Sequence, residues 1–78
     1  MNFIQCKMAR AALGWGTRDL AKEAKISPDT VARLERGEAL KSSTMNAVRA
    51  AFEASGIEFI EESGGKGVGV RLATPLSN

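Results

Sequence analysis

The sequence predicts a mainly α domain of four helices followed by a C-terminal β-hairpin. Three observations lead to this expectation. Residues 3–55 contain four stretches with apolar residues at helical spacing, each bounded by a capping residue or a glycine. After Gly56 the apolar residues alternate with polar ones and flank a glycine-rich turn. The 78 residues are enough for one small core, so we expect a single compact unit.

The first predicted helix spans residues 3–13 and ends at Gly14. Its expected inward stripe consists of Phe3, Cys6, Ala9, Arg10 and Leu13. We interpret Cys6, the only cysteine, as a buried apolar residue rather than a reactive thiol. Arg10 on an inward face needs a partner, unless it reaches sideways to water or a phosphate. Trp15, in the link after this helix, is expected to close the edge of the core rather than to stack on a base.

Two short helices follow, each with its own predicted N-cap. Thr17 should cap a helix over residues 18–24, and Asp19 lies in the first turn, where free amides favour negative charge. Ser27 should cap the next helix. Pro28 suits the first turn of that helix because it has no N–H group to leave unpaired.

The joint between these two helices is two residues long, Lys25 and Ile26. So short a joint makes the helices cross steeply, as in a helix-turn-helix, and Ala21 is small where they must approach. The second helix should reach Arg36, with Gly37 as its left-handed stop. An ordinary helical hairpin in a small bundle is the alternative interpretation.

Residues 7–52 resemble the Cro-type phage repressor family of helix-turn-helix domains, also called the XRE family. The residues that carry the resemblance are Leu20-Ala21, Ile26-Ser27, Val31 and Leu34-Glu35-Arg36-Gly37. The resemblance implies a repressor-like, DNA-binding four-helix domain over residues 1–56, and it points to Glu35 as the partner of Arg10. The family usually has glycine in the turn where this chain has Lys25. A lysine with positive φ costs on the order of 1 kcal/mol.

The rest of the chain predicts one more helix, over residues 44–55, after a polar link in which Leu40 is the apolar anchor. This fourth helix should be capped by Ser43 and stopped by Gly56. Its expected buried stripe is Met45, Val48 and Phe52.

The predicted hairpin has strands over residues 57–61 and 68–72 and a turn over residues 63–67. Ile57 and Phe59 should share one face with Val68, Val70 and Leu72, whereas Ile60 points the other way. Many members of the family have a fifth helix instead, so the usual dimer contact of the family is not expected here. Residues 73–78 are expected to fray.

Candidate DNA-binding residues follow from the motif, because the second helix of a helix-turn-helix enters the major groove by its N-terminal end. The expected base-reading residues are Ser27, Pro28, Asp29, Thr30 and Arg33. Arg33 is the strongest candidate, since a guanidinium can pair with both O6 and N7 of guanine. The expected phosphate-binding residues are Thr17, Arg18, Lys25, Arg36, Lys41 and Ser42. For each of these residues the alternative is a solvated surface side chain.

The distribution of charge supports these assignments. The net charge is +2, and residues 1–41 hold eight Lys or Arg against five Asp or Glu. Residues 42–78 hold three against four. The excess positive charge therefore lies with the helix-turn-helix, as phosphate binding requires.

Several classes of function are disfavoured by composition. The chain has no histidine or tyrosine and a single cysteine, so we expect no enzyme, no cofactor and no metal site. No apolar run approaches the roughly 20 residues needed to cross a bilayer, and residues 1–7 do not resemble a signal peptide. We therefore expect a cytoplasmic protein.

The sequence as a whole predicts a regulator that binds specific double-stranded DNA, most simply a repressor acting at a near-palindromic operator as a homodimer. The expected dimer interface is the hairpin, through Phe59, Ile60, Val68, Val70 and Leu72. Two alternatives stay open. The hairpin could fold back on the first and fourth helices of a monomer, or it could bind another protein, as in an antitoxin that regulates its own gene.

Overall fold

The computed structural model describes residues 1–75, and this part of the chain is a mainly α domain with a C-terminal β-hairpin, which confirms the predicted fold class. The elements are α1 (Phe3–Leu13), α2 (Thr17–Ala24), α3 (Pro28–Glu35), α4 (Ser42–Ala54), β1 (Ile57–Ile60) and β2 (Gly69–Leu72). Residues 76–78, which belong to the segment expected to fray, lie outside the described residues. No helix within residues 1–75 is long and apolar enough to span a membrane.

The predicted cap of α2 is wrong by one residue. Gly16 is the N-cap, and Thr17 is already the first helical residue. The carboxylate of Asp19 accepts a hydrogen bond from the backbone N–H of Gly16, the N-cap residue, at 2.7 Å. Because Gly16 has no side chain, it does not provide the capping bond to the following amides that a threonine hydroxyl would make.

The predicted start of α4 is also wrong, by two residues. The helix begins at Ser42 with Lys41 as its N-cap, and no side chain of residues 1–75 caps it. Ser43, the predicted cap, lies inside the first turn. The sequence did not identify the cap, because Ser42, Ser43 and Thr44 are adjacent and have similar capping propensity. The helix ends at Ala54, and Gly56 takes a φ of 95° after it.

The joint between α2 and α3 consists of Lys25 and Ile26, as predicted, because α2 ends at Ala24 and Ser27 caps α3. Lys25 is left-handed with a φ of 57°, and the N–H of Ile26 donates to the carbonyl of Ala21 at 3.0 Å, so the chain turns sharply within two residues. Ser27 then caps α3, and its hydroxyl oxygen accepts from the N–H of Thr30 at 3.1 Å. These bonds fix the angle at which α3 leaves α2.

The core lies between α2, α3 and α4, with α1 packed on α3 and on the hairpin. Its fully buried side chains include Leu20, Val31, Val48 and Phe52. Phe52 is central, because Trp15 stacks on its ring at a centroid distance of 5.6 Å and Phe59 meets it edge-on at 6.1 Å. Trp15 thus closes the edge of the core, as the sequence predicted.

The inward face of α1 differs from the predicted stripe at two positions. Cys6 and Ala9 are buried as expected, whereas Phe3 is 39% exposed beside Gly37. Gln5, which the sequence analysis did not select, is 1% exposed. Its Nε2 donates to the carbonyls of Ile60 and Gly69, each at 3.1 Å, so one buried amide ties α1 to the ends of both strands.

The hairpin has the predicted faces, with each strand one residue shorter than expected. Ile57 pairs with Leu72 and Phe59 with Val70, and these side chains turn toward the helices. Glu58 pairs with Arg71 and Ile60 with Gly69 on the other face. The turn at the tip consists of Gly64 and Gly65, both with positive φ, between the bridged residues Ser63 and Lys66. The first residue after β2, Ala73, donates its N–H to the carbonyl of Gly56 at 2.8 Å, so fraying does not begin there.

Candidate nucleic-acid interface

The helix α3 divides into a buried and an accessible side. Val31 and Leu34 are buried in the core, as predicted. The residues expected to read bases lie on the other side, where Ser27, Pro28 and Asp29 are exposed and Thr30 and Arg33 are half-buried. The hydroxyl groups of Ser27 and Thr30 lie 2.8 Å apart, and the same Ser27 oxygen caps the helix. Asp29, next to them, is exposed.

An open cleft of about 260 Å³ runs between α3 and the start of α4. It is lined by Thr30, Arg33, Ala39, Leu40, Lys41 and Thr44. The structure therefore brings together Arg33, a predicted base-reading residue, and Lys41, a predicted phosphate-binding residue. Thr30 and Thr44 add hydroxyl groups to a lining that also includes the apolar Ala39 and Leu40, and the two basic side chains supply positive charge for an anion.

Arg33 and Arg36 share one carboxylate, that of Glu38. The Nε of Arg33 donates to Oε1 at 3.2 Å, and Arg36 donates to Oε2 from Nη2 at 2.7 Å and from Nε at 3.1 Å. These hydrogen bonds, led by that from Arg36, hold the pKa of Glu38 below its usual value. Sequence analysis missed Glu38, although its spacing from the two arginines around a helix-ending glycine is a recognisable signal.

Four other predicted phosphate-binding residues lie on the surface and do not line this cleft, although Ser42 is next to Lys41 at its border. Thr17 and Arg18 begin α2, Lys25 is in the joint, and Ser42 begins α4, and all four are exposed. The first turn of α4 leaves its amide groups without a side-chain cap from residues 1–75, which suits an anion at that helix end.

The C-terminal end of α3 is held by the predicted ion pair. Arg10 donates to Glu35 through Nε at 2.7 Å and Nη2 at 2.8 Å, and its Nη1 donates to the carbonyl of Trp15 at 3.1 Å. The hydrogen bond to Glu35 raises the pKa of Arg10 further above its usual value. The guanidinium thus faces inward with partners rather than outward to water or phosphate.

Cys6 lies beside this pair and donates its thiol hydrogen to Oε2 of Glu35 at 3.3 Å. Burial, together with this hydrogen bond, raises the pKa of Cys6 to about 12. A thiol with so high a pKa is a poor nucleophile at neutral pH, in agreement with its interpretation as a core residue.

The residues expected to form a dimer interface fall into two groups. Phe59, Val70 and Leu72 are half-buried and pack against the core of their own chain, with β1 on α4 and β2 on α1. These side chains therefore contact their own helices, as in the alternative in which the hairpin folds back on the first and fourth helices. Val68 is half-buried before β2, and Ile60 is 40% exposed on the outer face.

No protein-family model matches this chain, and no curated protein matches it at a significant level.

Proposed function

We propose that this protein is a transcriptional regulator that binds specific double-stranded DNA, most simply a repressor that occupies its operator in the cytoplasm. The observation that supports it is the pair α2 and α3. A two-residue joint fixes their angle, Val31 and Leu34 fasten α3 to the core, and the opposite side of α3 presents polar side chains to solvent. A recognition helix needs this combination of a rigid base and an accessible polar face.

In this proposal α3 enters the major groove by its N-terminal end, and Arg33, in the last turn of the helix, reaches a base edge with its long side chain. Arg33 pairs with O6 and N7 of a guanine, Asp29 accepts from a cytosine amino group, and Thr30 contacts a thymine methyl group. Lys41 lies across the cleft from α3, where it can neutralise a phosphate of the strand that borders the groove. The first turn of α4 adds free amides for a second phosphate contact.

Site selection from random duplex DNA, followed by mobility-shift titration of the enriched site, tests this proposal. We expect one enriched, near-palindromic sequence that is bound at least about 10³-fold more tightly than unrelated duplex. Replacement of Arg33 by alanine should lower this preference by roughly 1–3 kcal/mol, the value of one base contact, whereas the control Lys66→Ala, at the tip of the hairpin, should retain it in full. Enrichment of no sequence would refute the proposal.

The partner that completes such an operator complex is a second copy of the chain, joined through the hairpin. Phe59, Val70 and Leu72 pack against the core of their own chain, so in this proposal the contact uses the strand edge and the outer face. On that face Ile60 is exposed next to Glu58 and Arg71, whose side chains form an ion pair at 2.6 Å. Two hairpins paired across a two-fold axis would cover Ile60 and set two recognition helices about one DNA turn (~34 Å) apart.

Sedimentation of an Ile60→Glu variant tests this dimer. A charge at the centre of the contact should convert dimer to monomer at equal concentration, whereas Ala50→Glu, on an exposed part of α4, should sediment like wild type. A wild-type chain that is monomeric at all concentrations, or an Ile60→Glu variant that remains dimeric, would exclude the hairpin as the interface.

A second candidate function is an antitoxin-type interaction protein that regulates its own gene. The observation that favours it is apolar surface outside the hairpin, because Ile4 and Met8 are 44% and 37% exposed one turn apart on α1. If a toxin-like reading frame adjoins the gene, co-expression should neutralise the toxin, and Ile4→Glu should restore toxicity. Unchanged toxicity with the wild-type chain would rule this function out.

A further inference from the structure

We propose that Glu38 is a positioning residue for DNA recognition: it holds Arg33 ready for a guanine and withdraws Arg36 from sequence-independent phosphate binding. This inference rests on the proposed DNA-binding function and identifies a residue outside the recognition helix that shapes its specificity. It is carried by the geometry of the turn that ends α3.

The position of Glu38 is fixed by the backbone. Gly37 has a φ of 86°, which returns the chain over the last turn of α3. The N–H of Gly37 donates to the carbonyl of Leu34 at 3.0 Å, and the N–H of Glu38 donates to the carbonyl of Arg33 at 3.1 Å. Glu38 is therefore hydrogen-bonded to Arg33 twice, through its backbone N–H to the Arg33 carbonyl and through its carboxylate to the Arg33 side chain.

The contact leaves the recognition end of Arg33 free. Only Nε of this guanidinium donates to Glu38, and its two terminal nitrogens form no hydrogen bond within residues 1–75. Those two nitrogens are the ones that can pair side by side with O6 and N7 of guanine. Glu38 thus removes rotamer freedom from Arg33 without occupying the atoms that would meet the base, which lowers the entropic cost of forming the specific contact.

The effect of Glu38 on Arg36 is the opposite. Arg36 directs both Nε and Nη2 to Oε2 of Glu38, so two of its three nitrogens are engaged. A phosphate would have to compete with this carboxylate for the same guanidinium, and the negative charge of Glu38 would also repel the phosphate. Because phosphate contacts are made equally with every sequence, weakening one of them reduces unspecific binding.

The inference is tested with the selected operator, the same operator with the candidate guanine replaced, and an unrelated duplex, each titrated at several salt concentrations. Glu38→Ala should lower the preference for the guanine about two- to tenfold, the equivalent of ordering one flexible side chain. It should also strengthen binding to the unrelated duplex and steepen the salt dependence by about one phosphate contact. Glu38→Gln keeps a hydrogen-bond acceptor without the charge. It should therefore retain part of the guanine preference, whereas its salt dependence should be as steep as that of Glu38→Ala.

Two controls separate positioning from a general change in charge. Glu53→Gln removes a comparable exposed partner, because Glu53 pairs with Arg49 on α4 at 3.2 Å, and it should alter neither quantity. In an Arg33→Ala background, Glu38→Ala should no longer affect the guanine preference but should still steepen the salt dependence through Arg36. In the free protein, NMR should show faster exchange of the Nε protons of Arg33 and Arg36 after Glu38→Ala.

These measurements distinguish a failure of the role proposed for Glu38 from a failure of the proposed DNA-binding function. Unchanged guanine preference in Glu38→Ala, or the same loss in the Arg33→Ala background, overturns the inference while specific DNA binding by the wild-type chain stands. Wild-type protein that binds all duplexes equally overturns the proposed function, and the inference falls with it.

Discussion

Arg10 and Glu35 form an ion pair of two parallel hydrogen bonds that fastens α1 to the last residue of α3. The two distances are 2.7 and 2.8 Å, and the side chains are 21% and 10% exposed. Since α1 lies outside α2 and α3, the two helices of the proposed DNA-binding motif, this pair connects the proposed recognition helix to the rest of the domain. Two groups that are mostly removed from water depend on each other, because either one alone would be left without its compensating charge.

Glu35→Ala should therefore destabilise the fold by about 2–4 kcal/mol, somewhat less than the loss of a partner from a fully buried pair because water reaches Arg10. Urea unfolding of Glu35→Ala, Arg10→Met and the double variant forms a cycle that isolates the coupling. The same cycle on Arg49 and Glu53, which are both well exposed, should give a coupling below about 1 kcal/mol. Equal coupling free energies in the two cycles would show that burial does not strengthen the pair of Arg10 and Glu35.

The same carboxylate makes stability depend on acid. Burial on its own would raise the pKa of Glu35, but the hydrogen bonds from Arg10 and Cys6 outweigh it and hold the folded pKa below the usual 4.5. A folded pKa below the unfolded one adds stability above pH 4.5, and this contribution disappears as the pH falls through the folded pKa. Unfolding free energies measured from neutral pH to about pH 3 should fall less steeply for Glu35→Gln than for wild type. Parallel curves would assign the acid sensitivity to other carboxylates.

Arg33→Ala and Lys41→Ala should have different effects on DNA binding, although both residues line the same cleft. Loss of Arg33 should relax the preference at one base pair at a cost of roughly 1–3 kcal/mol. Loss of Lys41 should weaken all sequences alike and flatten the salt dependence by about one phosphate contact. Titration of specific and unrelated duplexes at several salt concentrations distinguishes them, and wild-type behaviour in both variants would show that α3 does not read DNA.

Gln5→Leu should loosen the hairpin from α1. The buried amide of Gln5 donates to the carbonyls of Ile60 and Gly69, and an apolar replacement leaves both without that donor in a closed environment. We expect a loss of about 1–3 kcal/mol and faster amide hydrogen exchange in both strands. Asn46→Leu, an exposed amide on α4, is the control and should leave exchange in the hairpin unchanged. Protection that persists in Gln5→Leu would mean that packing alone holds the strands.

Lys25→Gly should stabilise the fold, because Lys25 has a φ of 57° in the joint between α2 and α3. Glycine adopts this conformation without the clash of a Cβ atom, so we expect a gain of about 0.5–1 kcal/mol. The control Lys22→Gly, inside α2, removes the same charge at a right-handed position and should cost about 1 kcal/mol. Thermal unfolding of the two variants measures the difference, and destabilisation by both would indicate that the lysine side chain matters more than its backbone angle.

The features that sequence analysis predicted correctly are those that a few neighbouring residues decide. Ser27 with Pro28 sets the start of α3, and the paired glycines at the tip set the hairpin turn. Where several adjacent residues could cap a helix, the predicted cap was wrong, as at Ser43, which has a hydroxyl residue on each side. In each case the free-energy difference between adjacent caps is small compared with the packing that finally chooses.

The features that sequence analysis missed depend on residues far apart in the chain. Gln5 is buried because its partners at Ile60 and Gly69 are 55 and 64 residues away, so nothing near it in sequence marks it as a core residue. Arg10 and Glu35 are 25 residues apart and were paired only through resemblance to repressors. Long-range hydrogen bonds between polar groups leave no periodic pattern, unlike the apolar stripes of helices.

Cys6 gives this domain an internal reporter of its own opening. Its side chain is fully buried between α1 and the end of α3, and its pKa of about 12 keeps it in the thiol form. A disulfide reagent therefore reacts with it only in molecules whose first helix has separated from the rest, where the thiol regains an ordinary acidity. The rate of that reaction, followed by the colour of the released chromophore, measures the fraction of open molecules when closing is faster than the reaction, without a label and without any change to the sequence.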